Sequence, residues 1–80
     1  MKSESPILQL KQYGHVHVKL KELLDERQMT RGALARLVNT RFEVIDKWCG
    51  GTLGKIDADV LARICRVLSC RVEDVLEYRE

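Results

Sequence analysis

Residues 30 to 49, Thr-Arg-Gly-Ala-Leu-Ala-Arg-Leu-Val-Asn-Thr-Arg-Phe-Glu-Val-Ile-Asp-Lys-Trp-Cys, constrain the chain more than any other stretch. They read as two short helices separated by a turn that leaves no room for a strand or a loop. Thr30 is an N-cap, its hydroxyl placed to accept from a free first-turn amide ahead of the apolar Leu34, Ala35 and Val38. Asn39 follows the last periodic residue, where leaving a helix requires left-handed backbone that Asn tolerates better than most residues. Thr40-Arg-Phe-Glu43 then fits a capping box, and apolar Val44, Ile45 and Trp48 follow at helical spacing.

A small residue at 35 permits a close, steep crossing of the two helices, because Ala lets the second backbone approach the first. With Ile45 and Trp48 turned inward, helical geometry turns Arg41, Phe42, Glu43, Asp46 and Lys47 outward.

Several segments agree in order and spacing with a known pattern. Met29-Thr-Arg-Gly-Ala-Leu-Ala35 followed by Asn39-Thr-Arg-Phe-Glu-Val-Ile-Asp-Lys-Trp48 resembles the phage repressor/Cro helix-turn-helix family, also called XRE. Ile56 to Cys70 and Asp74 to Tyr78 are similar to the fourth and fifth helical segments of a small bacterial single-domain branch, so the likeness spans roughly residues 18 to 78. The resemblance implies a lambda-repressor-like domain whose second helix of the pair, about 41–49, enters DNA. Arg31 stands where the family usually has Gln, Asn39 where it has Gly, and Cys49 where it often has Glu. The family's pattern would cap the second helix at Arg41, whereas the capping box points to Thr40.

Eighty residues, 45% hydrophobic and 32% charged, describe one globular domain with a modest core. A chain this short buries a small share of its surface, and a partner subunit is the means of stabilisation that suits this composition best. The net charge is only +2, but residues 27 to 55 hold six basic side chains (Arg27, Arg31, Arg36, Arg41, Lys47, Lys55) against two acidic ones (Glu43, Asp46). Residues 56 to 80 hold four basic against six acidic. Positive charge therefore centres on the helix pair, as a phosphate-binding footprint would; a solvated surface would give the same count. No apolar run is long enough to span a membrane and no signal-peptide core is present, which predicts a cytoplasmic protein. Three cysteines, Cys49, Cys65 and Cys70, are an odd number without a disulfide framework and agree with a reducing compartment.

Along the chain, residues 1–14 are expected to form an N-terminal arm and 15–80 the DNA-binding domain. Ile7 to Tyr13 fits either a short helix or a strand before Gly14 breaks it. His15-Val-His-Val-Lys-Leu20 alternates as a half-buried strand does. Its only plausible partner is Leu76-Glu-Tyr-Arg-Glu80, predicting an antiparallel terminal ribbon within one protomer or between two. Lys19 to Gln28 reads as an amphipathic first helix carrying Leu20, Leu23 and Leu24. Gly50-Gly51-Thr-Leu-Gly54 is a loop with amides able to approach phosphate. Asp57 caps a fourth helix with Val60, Leu61, Ile64, Cys65 and Leu68 on one stripe, and Val72, Val75 and Leu76 mark a last short one.

The candidate DNA-binding residues are Arg31, Thr40, Arg41, Phe42, Glu43, Asp46, Lys47 and Lys55. The major groove admits one helix, and Arg41 there can bond guanine or phosphate while Phe42 meets a thymine methyl. Alternatively Phe42 folds back onto the core. Glu43 and Asp46 repel phosphate, so they accept from cytosine, bridge through water, or hold Arg41 and Lys47; capping serves Glu43 equally well. Arg31, Lys47 and Lys55 are placed to fix the backbone register. The Cys and His spacing does not suggest zinc, Cys65 reads as a small buried hydrophobe, and redox sensing by Cys49 or Cys70 would require an exposed low-pKa thiolate. Trp48 and Met29 read as core. No catalytic constellation, cofactor motif or small-molecule cleft is present, and an enzyme is not expected.

These observations predict an all-α, five-helix domain with a small β-ribbon from the terminal segments. It would bind double-stranded DNA as a transcriptional regulator, most simply a repressor, and as a homodimer on a roughly palindromic operator. The rival readings are a protein-interaction module, such as an antirepressor or adaptor, and an antitoxin that reuses the fold.

Overall fold

The computed structural model describes residues 13–80. The expected arm and the undecided segment lie, through residue 12, outside the described residues. The chain runs β1 (His15–Val18), α1 (Leu20–Arg27), α2 (Arg31–Leu37), α3 (Phe42–Trp48), α4 (Ala58–Leu68), α5 (Val72–Val75) and β2 (Leu76–Arg79). These are the five helices and the terminal ribbon read from the sequence.

The core is built from one face of every element. Leu20, Leu34, Ile45, Ile64 and Val75 are completely buried, and Val18, Ala35, Val38, Trp48 and Leu68 are nearly so. Met29 is partly buried at the edge of this cluster. Fully burying an aliphatic side chain contributes roughly 1.5–3 kcal/mol, which holds short helices that would not persist alone in water.

Helix ends follow local chemistry. The Thr30 hydroxyl accepts from the Ala33 amide at 3.1 Å, and the Asp57 carboxylate accepts from the amides of Asp59 and Val60. Three helices end on a non-glycine residue in left-handed backbone: Gln28 (φ 56°), Asn39 (φ 58°) and Ser69 (φ 50°). After each, the chain closes back on the last turn, with Met29 N donating to Leu24 O, Thr40 N to Ala35 O and Cys70 N to Cys65 O. Only Asn39 among them carries a side chain that announces this role.

The Thr40–Glu43 capping box does not form. The N-cap of α3 is Arg41, in extended backbone and with no side-chain cap bond. The physical reason lies in the turn: the Thr40 amide is committed to Ala35 O as α2 closes, so Thr40 belongs to the exit of one helix and cannot also open the next.

The ribbon forms within one protomer, pairing His15 with Arg79, Val16 with Tyr78, His17 with Glu77 and Val18 with Leu76. The strand signal ends two residues earlier than the alternation suggested, because Leu20 opens α1. Leu76, which the sequence offered both to the last helix and to the closing strand, begins β2. The ribbon is fastened to the helices by Val18 N to Gly51 O and Lys19 N to Val75 O, each 2.7 Å. At its open end Gly14 lets the two strands approach: a Cβ there would lie 1.8 Å from Arg79 O. Its amide donates to the Tyr78 hydroxyl at 2.8 Å.

Candidate nucleic-acid interface

Helices α2 and α3 pack against each other, with the small Ala35 of α2 buried. Burial of Ile45 and Trp48 fixes the rotation of α3 about its axis. Arg41, Phe42, Glu43, Asp46 and Lys47 are consequently all exposed, on the side of α3 away from the core. Phe42 is 50% exposed, so it stands out from the domain and does not fold back onto the core. Thr40 is half-buried in the turn, and Lys55 is exposed in the segment after the glycine loop. None of the described residues covers the ridge.

Arg31, at the start of α2, reaches across the pair and donates to the Asp46 carboxylate at 2.6 Å. That bond pushes the guanidinium still further up from its ordinary value, so its charge is fixed. Asp46 therefore orients Arg31, and not Arg41 or Lys47, for which no ion pair occurs among the described residues. The link ties the first turn of one helix to the last turn of the other. It also lowers the positive charge available at the position where the family usually has an amide side chain.

A profile of the Cro/C1-type helix-turn-helix DNA-binding domain matches residues 19–80. The chain belongs to this family. No curated protein matches it. Among solved structures it is similar to the transcriptional regulator VanUg, with TM-score 0.69 and 25% identity over 98% of this chain and 97% of that one. It also shares the fold of a protein described as DNA-binding from Bacteroides fragilis, with TM-score 0.67 and 21% identity over 78% of this chain and 98% of that one. The family's domain is a DNA-binding one, and the chain's likeness to VanUg is to a transcriptional regulator.

In this Cro/C1-type domain the six cations of residues 27 to 55 are not equivalent. Arg27 donates to the backbone carbonyl of Leu68, fastening the end of α1 to the end of α4. With Arg31 held by Asp46, the cations without a protein partner among the described residues are Arg36, Arg41, Lys47 and Lys55. A charge count along the chain could not separate these groups, since Leu68 and Asp46 meet their partners only in the folded state. Arg63 was missed entirely by sequence reasoning. It donates to Val38 O at 3.0 Å and Asn39 O at 3.4 Å, satisfying the carbonyls at the end of α2 and so holding the turn that aims α3.

Neither Cys49 nor Cys70 presents the exposed, low-pKa thiolate that redox sensing would require. Cys49 is buried, and burial pushes its thiol upward; Cys70 is half-buried and is raised by burial and then by the adjacent Cys65. Cys65 is itself half-buried against the core rather than fully enclosed. Among the described residues no three His, Cys, Asp or Glu side chains cluster to hold a metal ion, and no helix is long and apolar enough to cross a membrane.

Proposed function

We propose that the protein is a sequence-specific double-stranded DNA-binding regulator, acting as a repressor by occupying its operator, with residues 15–80 as the binding unit. The observation that carries this reading is the ridge on α3: five polar, charged or aromatic side chains exposed together on a helix whose opposite face is buried. An α-helix fits the major groove, and the stretch that contains it, residues 27 to 55, holds six basic side chains against two acidic ones. In this reading Arg41 and Phe42 contact base edges, Lys47 and Lys55 contact phosphate, and Thr40 lies at the helix start near the backbone. Asp46 presents Arg31 to the adjacent phosphate, while Glu43 accepts from a base or a bridging water.

The protein acts as a homodimer, which would set two α3 helices about 34 Å apart on a roughly palindromic site. Support for dimerisation comes from the ribbon. Its core face continues past Val18 and Leu76 to Val16 and Tyr78, which are 42% and 56% exposed.

The test is selection of bound sequences from a random duplex library, then titration of the selected site at several salt concentrations. Affinity should fall steeply with salt, and Arg41→Ala with Lys47→Ala should abolish sequence preference. Removing one true phosphate contact should lower the salt slope by about one unit. Unchanged affinity in the double variant would overturn the proposal.

A further inference from the structure

We infer that the trough between the end of α2 and the outer face of α4 is a docking site for an acidic, leucine-bearing segment of a second protein. This site is separate from the α3 ridge. Its floor is Val38, and its apolar walls are Leu37 from α2 with Ala62 and Val67 from α4; Arg63 and Arg66 form the polar rim. The space measures roughly 440 Å³. Leu37 is the decisive residue: it ends α2 with 58% of its surface in solvent, the largest exposure of any leucine or isoleucine among the described residues.

The charge on the rim selects the occupant. Every charged side chain lining the trough is an arginine. Arg66, and Arg36 one residue before Leu37, have no ion-pair or hydrogen-bond partner among the described residues. Arg63 is shared between Asp59 at 2.8 Å and the carbonyls at the end of α2. An aliphatic side chain set in the trough would thus have cations beside it, and a chain carrying carboxylates on either side complements both features. DNA is a poor occupant, because phosphate gains nothing from Leu37 and Val67. A small molecule is a poor one too, because the trough is open along its length and would leave much of a ligand in water. The walls are fixed in advance: Arg63 bonds α4 to the end of α2, so the site requires little ordering on binding.

No residue proposed to read DNA lines the trough, so the two surfaces can be occupied together. The regulator would then carry a protein partner on the side of the turn while α3 holds the operator.

The experiment uses the full chain, labelled for amide NMR, and a short helical peptide with leucines at helical spacing and glutamates between them. A second peptide has lysine in place of every glutamate. The acidic peptide should shift the amides of Leu37, Ala62 and Val67 saturably and release at high salt. Leu37→Glu or Arg66→Glu should weaken it about tenfold or more, the loss of roughly 1.4 kcal/mol. Both positions are solvent-exposed, so the variants should melt as the parent does. Operator affinity should be unchanged by Leu37→Glu, which separates failure here from failure of the DNA reading. Four outcomes would overturn the inference. They are no saturable binding, equal binding of the lysine peptide, loss of operator affinity in Leu37→Glu, and a change of oligomeric state in that variant that marks the trough as a contact between copies.

Discussion

At the scale of single residues, the pair Arg31 and Asp46 fixes where one cation of the helix pair points. Both side chains are substantially exposed, 37% and 50%, so solvent screens the interaction despite its short distance. A double-mutant cycle with Arg31→Ala and Asp46→Ala should give only a small stability coupling, measured by denaturant melts and reduced further by salt. The effect on DNA binding should be larger than that on stability, because Asp46→Ala leaves the cation in place but releases it from one orientation. A coupling near zero in both measurements would show that the bridge positions nothing. Gly14 is the opposite kind of residue, essential for what it lacks. Gly14→Ala places a carbon on the Arg79 carbonyl, so the open end of the ribbon must part and the bond to the Tyr78 hydroxyl must break. Amide exchange of residues 76–79 should accelerate while α2 and α3 stay protected.

At the scale of elements, the turn between α2 and α3 rests on Asn39, and the ends of α1 and α4 rest on Gln28 and Ser69 in the same left-handed conformation. Glycine adopts that backbone without the Cβ conflict, which costs other residues roughly 1–2 kcal/mol. Its greater freedom in the unfolded chain offsets part of the gain. Ser69→Gly should therefore raise stability by somewhat less than about 1 kcal/mol, read from the melting midpoint. Thr30→Ala should lower it by about 1 kcal/mol through loss of the cap. Acid should loosen the side-chain contacts of the ribbon slightly. The bond to Arg79 holds the Glu77 carboxyl below its ordinary value, and a backbone hydrogen bond, then His17, does the same for Glu22. A depressed folded pKa means stability that is complete above the unfolded carboxylate value near 4.3 and is lost as pH falls through the folded value. Both groups are exposed, so the loss should be small and confined to β1, β2 and the start of α1, visible as shifts of those amides only. The elements themselves were legible in the sequence because Leu34, Ile45, Ile64 and their neighbours keep helical period, and Val16 and Val18 keep strand period. The first residue of α3 was not. Thr40 satisfies the pattern of a cap, but its amide is claimed by the preceding helix, a competition between neighbours that no motif encodes. The exposed ridge followed from periodicity, whereas the partners of Arg27, Arg31 and Arg63 depend on tertiary contacts.

At the scale of the whole molecule, the ribbon bears on assembly. On the outer edge of β2 the Leu76 amide is taken up by Val72 O, and beyond it no turn, loop or cap backbone bond among the described residues engages Glu77 to Arg79. Such an edge is a template for pairing with another strand. Two copies related by a two-fold axis through Tyr78 would place Glu77 of one protomer opposite Arg79 of its partner, and the reverse. The apolar face of Val16, Val18, Leu76 and Tyr78 would then continue across a four-stranded sheet. Within one protomer Glu77 and Arg79 already meet at 2.7 Å on the opposite face, so both side chains are oriented for the exchange. Sedimentation should find a dimer that Tyr78→Lys converts to monomer, since the lysine would bring two like charges together on the axis. Glu77→Arg alone should weaken the dimer by setting cation against cation, and adding Arg79→Glu should restore it. Operator affinity should follow the dimer through this series while single α3 helices still bind DNA weakly, because the spacing of two recognition helices is lost but each helix is intact. A dimer that survives Tyr78→Lys would move the interface off the ribbon, and with it the reason for a palindromic site of that spacing.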